Sequence, residues 1–259
     1  MAEKVIEEVL LAEKKTPFQK IELTRVFDGN VALYLDGAIQ FVSGLDDKVY
    51  HGVLASLPAK MLQGRPSSVL ILGGGDSLAA RNLLKFPNIR EIRMVEIDPQ
   101  MVEFCSTHPV MRKLNEDSFR NPRLKVETTD AREWVARPPV KKYDLAILDF
   151  PDPLEPSLEN LFSGAFYKQV KNHLSGPSIW SIQSSSAFSG VEDVVTKNIF
   201  WATQTWPRPV RFKGDWMQDG SIVYAGRGVV PAMAQIPKDI QAKRPAVKPL
   251  AGLGMASIF

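Results

Sequence analysis

Two aspartates flank a stiff proline turn directly after an apolar run of the sequence. Residues 145–148, Leu-Ala-Ile-Leu, are followed by Asp149, Phe150, Pro151 and Asp152. An amine with a pKa like that of lysine, about 10.4, is mostly protonated at neutral pH, and attack on a carbon atom needs its free lone pair. One carboxylate at this position can orient the amine and receive its proton, while the second holds the amine in line. The pattern therefore predicts a pair of catalytic acids, with a solvent-facing Pro-Asp-Pro turn as the structural alternative.

A glycine turn follows another apolar run. Residues 69–72, Val-Leu-Ile-Leu, lead into a turn that includes Gly73 and Gly75 and ends at Asp76, and a helical pattern comes next. Glycines let the backbone approach a ligand closely at the carboxyl end of a first parallel strand. The motif Gly-x-x-x-x-Gly-Lys, which grips phosphates, is missing from the sequence. The turn therefore predicts a site for a nucleoside without phosphates, with a plain tight turn as the alternative.

Two further acids end the apolar runs that come next. Glu96 stands 21 positions after Gly75, where a carboxylate can accept both hydroxyls of a ribose. Asp130 ends the following run and could bind an adenine amino group. Either acid could instead cap a helix. Because the glycine turn and the two acids come in order on successive predicted strands, together they favour an adenosyl nucleoside.

Asp76 bears on which adenosyl compound would bind. An aspartate at the tip of the glycine turn would lie near the amino-acid tail of the ligand. S-adenosylmethionine carries a carboxylate there, which a buried aspartate repels, whereas decarboxylated S-adenosylmethionine carries only an ammonium. At ~4 Å and an effective dielectric near 20, the attraction is about 4 kcal/mol before desolvation. Asp76 therefore predicts the decarboxylated compound; its alternative role is the N-cap of the following helix.

Tyr50 and His51 follow the first predicted strands. The Tyr50 hydroxyl could hydrogen-bond an amine or a catalytic carboxylate. His51 fits a packed structural histidine as well as a ligand contact, and the sequence leaves both interpretations open.

Short apolar runs alternate with helical segments from about residue 66, and this alternation predicts a parallel sheet with helices on both faces. The predicted strands are residues 69–72, 92–95, 124–126, 145–148 and 178–182, and the predicted helices include residues 77–85 and 99–108. Before this region we predict a short helix over residues 1–15, closed by Pro17, and strands over residues 18–23 and 31–35. The predicted division is an N-terminal β-rich region (1–60), a Rossmann-like catalytic domain (61–228) and an irregular tail (229–259).

Bulk composition excludes several classes of protein. A net charge of +3, with no basic patch interleaved with aromatics, is too weak to indicate a nucleic-acid partner. Cys105 is the one cysteine, which excludes an internal disulfide and fits a reducing compartment, and with the three histidines it shows no zinc-like spacing. No stretch approaches the ~20 apolar residues of a membrane span. We therefore expect a cytoplasmic protein that uses no metal, membrane or nucleic acid.

The motifs resemble those of the spermidine synthase (polyamine aminopropyltransferase) family over about residues 16–226. The matching landmarks, in chain order, are Phe18-Gln19, Leu35 to Gln40, Tyr50-His51, Gly73 to Asp76, Glu96 to Asp98, Tyr143-Asp144, Asp149 to Pro153, Leu161-Phe162, Phe166-Tyr167 and Gln183. The resemblance implies a class-I S-adenosylmethionine-binding α/β fold, Rossmann-like, with a small N-terminal β-domain. It also implies aminopropyl transfer from decarboxylated S-adenosylmethionine, a co-substrate rather than a prosthetic group, to an amine such as putrescine, giving spermidine or a related polyamine and methylthioadenosine.

The resemblance implies site residues and an assembly as well. The residues implied to contact the nucleoside or its aminopropyl arm are Gln19, Gln40, Gly73, Gly75, Asp76, Glu96 and Asp130. Asp149 would be the principal catalytic acid–base group, and the residues implied to place the acceptor amine are Asp152, Tyr50 and Gln183. Family members commonly form homo-oligomers, so a dimer or tetramer is expected.

Several departures from the family pattern point to a divergent branch. Phe150-Pro151 replaces the usual Ser-Ser, Gly52 stands for the usual Glu, and the usual tyrosine–proline gate is missing near 212–216. These changes are predicted to fall on the acceptor side and leave the identity of the amine open. Two alternatives stay open: an amine N-methyltransferase that uses S-adenosylmethionine, and a non-catalytic paralogue that binds a nucleoside or polyamine.

Overall fold

The first four strands pair in chain order into an antiparallel sheet. The structure, a computed structural model, describes residues 8–226 except 63, 66, 154–155, 187–189 and 213–219. The strands are β1 (Val9–Lys15), β2 (Lys20–Arg25), β3 (Val31–Leu35) and β4 (Ala38–Val42). Ile21 and Leu23 are fully buried on one face of the sheet, and the residues before each of them, Lys20 and Glu22, are half-buried.

The predicted N-terminal helix is wrong where it can be compared with the structure. Residues 9–15 form β1, which pairs with β2 from Val9 opposite Arg25 to Lys15 opposite Lys20. Pairing with a neighbouring strand overrides a weak local helical pattern. The second strand starts at Lys20 rather than Phe18, because the Thr16 hydroxyl accepts the backbone N–H groups of residues 18 and 19 in a turn. Residues 1–7 and the predicted tail 229–259 lie outside the described part of the chain.

Seven strands form the second sheet, in the order β10-β11-β9-β8-β5-β6-β7. They are β5 (Ser67–Gly73), β6 (Ile89–Glu96), β7 (Leu124–Thr128), β8 (Tyr143–Asp149), β9 (Leu174–Ser186), β10 (Arg208–Phe212) and β11 (Gly220–Gly226). Strands β5 to β9 are parallel to one another, which confirms all five predicted strands and the α/β fold class. Strands β10 and β11 form an antiparallel hairpin that pairs antiparallel with β9 and was not predicted.

Helices cover both faces of this sheet. They are α1 (Leu45–His51), α2 (Leu57–Met61), α3 (Leu78–Leu84), α4 (Pro99–Thr107), α5 (Pro109–Leu114), α6 (Ala131–Ala136), α7 (Pro156–Glu159), α8 (Gly164–Asn172) and α9 (Gly190–Thr203). Helices α3 and α4 confirm the two predicted helices. The predicted boundary at residue 60 lies inside α2. The division of the chain into three regions stays a prediction. Among the described residues, no helix is both long and apolar enough to cross a membrane.

The central strands contain unbroken apolar runs because each of these strands is buried on both faces of the sheet. Leu70 and Leu72 of β5 belong to one core cluster, while Val69 and Ile71 belong to the cluster on the opposite face. All four side chains are fully buried. This two-sided burial fixes the register of β5 and hence the position of the glycine turn at its end.

An ion pair in the interior joins α1 to α3. The Arg81 guanidinium donates to both carboxylate oxygens of Asp47 at 3.0 Å each, and His51 Nδ1 donates to Asp47 at 2.7 Å. Burial would raise the pKa of Asp47, but the His51 and Arg81 hydrogen bonds outweigh it and hold that pKa well below its usual range. His51 is buried and occupied by this pairing, which favours the structural interpretation of that residue.

We expect Asp47→Ala to lower the free energy of unfolding by about 3–5 kcal/mol, because it leaves a buried guanidinium without its counter-ion. Lys85→Ala breaks an exposed pair with Glu116 and should leave that free energy nearly unchanged. Denaturant titration of the three proteins measures both effects. An Asp47→Ala loss no larger than that of Lys85→Ala would show that the buried pair does not stabilise the fold.

Candidate active site

The two predicted turns meet at the point where the strand order reverses. Strand β5 lies between β6 and β8, and Gly73 at its carboxyl end is directly opposite Asp149 at the end of β8. In open α/β sheets, ligands bind in the crevice outside the strand ends at this switch point. The topology therefore brings the glycine turn and the first predicted catalytic acid into one crevice.

Glycine is required at two positions of the turn. Gly73 has a φ of +84°, and a Cβ there would lie 2.2 Å from the carbonyl oxygen of Asp149. A Cβ on Gly75 would lie 2.8 Å from Oε2 of Glu96. The turn thus passes in contact with both strand ends, and no larger residue fits without displacing one of them.

Glu96 is a buried carboxylate at the end of β6. Its Oε1 accepts the backbone N–H of Asp98 at 3.0 Å. Burial raises the pKa of Glu96 to about 7, and the charges of Asp98 and Asp76 add to this effect against the backbone hydrogen bonds. Hydroxyl groups that donate hydrogen bonds to a buried carboxylate stabilise its charged form. The predicted contact with a ribose would supply such hydroxyl groups.

Asp98 links the N-terminal sheet to this strand end. It is fully buried, accepts from the Thr16 hydroxyl at 2.7 Å and from Gln19 Nε2 at 3.1 Å, and caps α4. The predicted residue Gln19 is therefore brought to the Glu96 end of the site. Gln40 is half-buried on β4, and its Nε2 donates to the carbonyl of Ala38 in the same strand at 3.1 Å.

Asp130 lies beyond the end of β7, one strand further along the sheet. The backbone N–H of Thr129 donates to the Glu96 carbonyl at 2.9 Å, so the two strand ends are adjacent. Asp130 caps α6, accepting the backbone N–H of Arg132 at 2.7 Å, and its side chain also pairs with the Arg132 guanidinium. The helix-cap interpretation is thus present in the structure, and contact with an adenine stays a prediction.

Asp76 lies one residue before Ser77, the N-cap position of α3, whose side chain makes no cap hydrogen bond. Asp76 Oδ1 accepts the backbone N–H of Leu78 at 2.8 Å at the start of α3. Burial raises the pKa of this carboxyl group, although the charge of His51 opposes the rise. Asp76 can therefore hold the start of α3 and attract a cation at the same time.

Asp149 and Tyr50 form a direct hydrogen bond. The Tyr50 hydroxyl donates to Asp149 Oδ1 at 2.5 Å, across 99 positions of sequence. Burial raises the pKa of Asp149 to about 6, the charge of Asp76 adds to the rise, and His51 and the Tyr50 hydroxyl oppose it. A carboxylate with a pKa near neutrality is suited to exchange a proton with a bound amine.

The residue after Asp149 turns into the core. Phe150 is buried, with ring centroids 6.4 Å from Phe162 and 6.0 Å from Phe166. The departure from the family pattern at this position therefore fills an apolar cluster next to Asp149, the predicted catalytic acid. Trp216, near the missing gate, lies outside the described residues, while Phe212 contacts the Tyr50 ring at 6.1 Å between centroids.

Asp152 is held by two neutral donors from the end of β9. Gln183 Nε2 donates to Oδ1 at 2.8 Å, and the Ser185 hydroxyl donates to Oδ2 at 2.6 Å. Gln183 was predicted, whereas Ser185 was not. The signal that could have found Ser185 is its spacing of two residues from Gln183, since such residues share one face of a strand.

The charge around Tyr50 is negative. Burial raises the pKa of its phenol well above the usual value, and the charges of Asp149, Asp76 and Asp152 raise it further. The phenol therefore stays protonated and acts as a donor. Among the described residues, no group of three or more histidine, cysteine, aspartate or glutamate side chains could hold a metal ion. The crevice suits a cationic organic ligand.

Comparison with known proteins identifies a family and several relatives. The family model described as "Spermine/spermidine synthase domain" matches residues 47–199. Polyamine aminopropyltransferase 2 of Aquifex aeolicus is 45% identical over 70% of this chain and 36% of its own length. A polyamine aminopropyltransferase of Leptospira interrogans is 32% identical over 91% of this chain and 46% of its own length. The chain thus spans between a third and a half of the length of these curated relatives.

Two solved structures share the fold. Spermidine synthase from Thermotoga maritima superposes with a TM-score of 0.75 at 22% identity, covering 93% of this chain and 80% of that one. A spermidine synthase in complex with the transition-state analogue AdoDATO superposes with a TM-score of 0.76 at 24% identity, covering 93% and 81%.

Glu96 should make the stability of the ligand-free protein depend on pH. Its pKa in the folded protein, about 7, lies above the ordinary 4.5, so its stabilisation is complete below about pH 4.5 and is lost as pH rises through about 7. Glu96→Gln stays neutral, so its stability relative to wild type should increase from about pH 4 to about pH 8, by on the order of 3 kcal/mol. Denaturant titrations at several pH values measure this difference.

Glu127→Gln is the matched control for this experiment. Although burial opposes it, hydrogen bonds from Trp134 and Arg137 lower the pKa of Glu127, so the stability of that variant relative to wild type should decrease over the same pH range. A Glu96→Gln curve parallel to that of wild type would contradict the assignment of a raised pKa to Glu96.

Proposed function

Because this chain belongs to the spermine/spermidine synthase family, we propose that it transfers an aminopropyl group from decarboxylated S-adenosylmethionine to a diamine or polyamine such as putrescine. The products are methylthioadenosine and spermidine or a related polyamine. The observation that carries the proposal is the hydrogen-bonded pair of Tyr50 and Asp149, set against the glycine turn at the switch point of the sheet. Curated relatives named polyamine aminopropyltransferase support it.

The nucleoside half of the co-substrate would occupy the ends of β5 to β7. Glu96 would accept the two ribose hydroxyls, and the backbone at Gly73 and Gly75 would approach the ligand without side chains in the way. Asp130 would accept a hydrogen bond from the adenine amino group in place of its present contact with the Arg132 guanidinium. Gln19 and Gln40 would complete the wall from the N-terminal sheet. The binding of AdoDATO by a spermidine synthase of the same fold supports this arrangement.

Asp76 would attract the ammonium of the aminopropyl arm. Its buried carboxyl group lies within electrostatic range of Asp149, and its Oδ1 is fixed by the cap of α3. A ligand carboxylate placed there would meet like charge in a desolvated crevice. This repulsion is what disfavours S-adenosylmethionine and with it methyl transfer.

Asp149 would act on the acceptor amine. The amine nitrogen attacks the arm carbon next to the sulfonium, the carbon–sulfur bond breaks, and its electron pair goes to sulfur. The proton of the amine goes to the Asp149 carboxylate, which Tyr50 orients through its hydroxyl. Asp152 and Gln183 would hold the acceptor in line for this attack.

We also propose a cytoplasmic homo-oligomer. Val9 and Leu10 are about half exposed on β1, at an edge of the N-terminal sheet. An exposed sheet edge of this kind can pair with the edge of another chain, which would cover these apolar side chains. The single cysteine, Cys105, is a buried free thiol, which is compatible with a reducing compartment.

Incubation with decarboxylated S-adenosylmethionine and a panel of diamines and polyamines, read by mass spectrometry, tests the activity. We expect an aminopropylated amine and methylthioadenosine in equal amounts, and Asp149→Asn should lower turnover by about 10²–10⁴ because it removes the proton acceptor. Wild-type turnover should fall below about pH 6 as Asp149 becomes protonated. Raising the pH should partly rescue Asp149→Asn by supplying free amine.

Several results would contradict this proposal. A methylated amine formed from S-adenosylmethionine would replace aminopropyl transfer with methyl transfer. Near-normal turnover of Asp149→Asn at neutral pH would remove Asp149 from the mechanism. Nucleoside binding without any transfer would favour a binding protein.

Asp76 should set the choice of co-substrate. We expect decarboxylated S-adenosylmethionine to bind at least tenfold more tightly than S-adenosylmethionine, a difference of about 1.4 kcal/mol. Asp76→Asn keeps an acceptor for the α3 cap and removes the charge, so the ratio of the two affinities should approach one. Calorimetric titration of both proteins with both compounds gives the ratio. Equal affinities in the wild type would end the discriminating role of Asp76.

A further inference from the structure

The end of β9 carries an irregularity in its pairing with β11. Gln183 pairs with Ile222 and Ser186 pairs with Gly220 across the β9–β11 ladder. Two residues of β9 therefore stand opposite the single residue Ser221, which is a β-bulge. Ser185 within the bulge has a φ of +64°, in the left-handed region that few residues other than glycine adopt. Conformations of this kind persist where the surrounding structure requires them, often beside ligand sites.

The two serines in the bulge face different partners. The Ser184 hydroxyl is fully buried and donates to the carbonyl of Ser221 at 2.8 Å, within the ladder. The Ser185 hydroxyl donates to Asp152 Oδ2 at 2.6 Å, beside the amide of Gln183 on Oδ1. The Ser184 hydroxyl therefore lies within the sheet, and the Ser185 hydroxyl lies on the acceptor side of the crevice.

Asp152 depends on these two donors for its orientation. It lies in the loop after β8 rather than in a strand or helix, and both of its oxygens accept from β9. Among the described residues, no lysine, arginine or histidine comes within ion-pair distance of it. The carboxylate is therefore held in place by neutral donors, with no basic side chain of the described residues beside it.

Gln183 presents a buried acceptor with no partner. Since a carboxylate only accepts, the amide nitrogen must face Asp152, and this fixes the direction of the amide oxygen. Oε1 of Gln183 is buried and has no hydrogen-bond partner in the structure. A buried acceptor left unpaired is unfavourable, so the site is complete only when a ligand N–H group reaches it.

We propose that Ser185 is a positioning residue for the acceptor amine: its hydroxyl fixes the Asp152 carboxylate, which in turn holds Gln183 with Oε1 directed to an ammonium donor of the acceptor. This inference rests on the proposed function, because it needs a cationic amine as the second substrate. Ser185 itself acts through Asp152 and Gln183. Loss of its hydroxyl should therefore weaken capture of the amine and leave both the nucleoside side and the proton transfer to Asp149 in place.

Steady-state kinetics of Ser185→Ala, with the amine that the panel identifies, tests the proposal. We expect KM for the amine to rise about tenfold, the size of a lost hydrogen bond to a charged group, with kcat within about twofold of wild type. Ser184→Ala, the same change one residue earlier, should leave both constants near wild type. The affinity for methylthioadenosine, measured by calorimetry, should not change in either variant.

Ser185→Gly separates the hydroxyl from the backbone strain. Glycine adopts a φ of +64° freely, so this variant folds even if alanine at that φ does not, and it should show the same rise in KM. An unchanged KM in Ser185→Gly, or equal losses of kcat and methylthioadenosine affinity, would overturn the positioning role. A wild-type protein that transfers no aminopropyl group yet binds methylthioadenosine would instead overturn the proposed function.

Discussion

The site depends on one close approach, between the main chains of Gly73 and Asp149 at the adjacent ends of β5 and β8. The carbonyl oxygen of Asp149 occupies the place where a Cβ on Gly73 would lie. The register between these strands is fixed by apolar side chains buried on both faces of the sheet. Core packing therefore fixes the distance between Asp149, the proposed base, and the glycine turn of the proposed nucleoside site.

Negative charge concentrates around this contact and is only partly balanced. Asp76, Glu96 and Asp149 have raised pKa values, each chiefly through burial. The charges of His51 and Arg81 oppose this effect at Asp76, but both side chains are already paired with Asp47. Several carboxyl groups buried close together repel one another when ionised, and a ligand that carries positive charge would offset this repulsion. This agrees with a sulfonium co-substrate and an ammonium acceptor.

The parts of the fold that repeat a local pattern were predictable from the sequence. Apolar runs gave the five parallel strands, and the acids at their ends gave Asp149 and Glu96, because strand ends share one edge of a sheet. Strand β1 was mistaken for a helix, since its structure comes from pairing with β2 rather than from its own residues. The Asp47–Arg81 pair and the role of Thr16 depend on contacts between distant segments, which no local pattern contains.

The strand order also has a consequence for how such a protein can diverge. The proposed nucleoside contacts Glu96 and Asp130 lie at the ends of β6 and β7 on one side of the switch point. Asp152 follows β8 on the other side, where Gln183 and Ser185 lie near the end of β9. The glycine turn of β5 lies between the two sets, because β5 pairs with β6 on one side and with β8 on the other. If the proposed function holds, substitutions on the β9 side would change the choice of amine and leave the proposed adenosyl contacts in place.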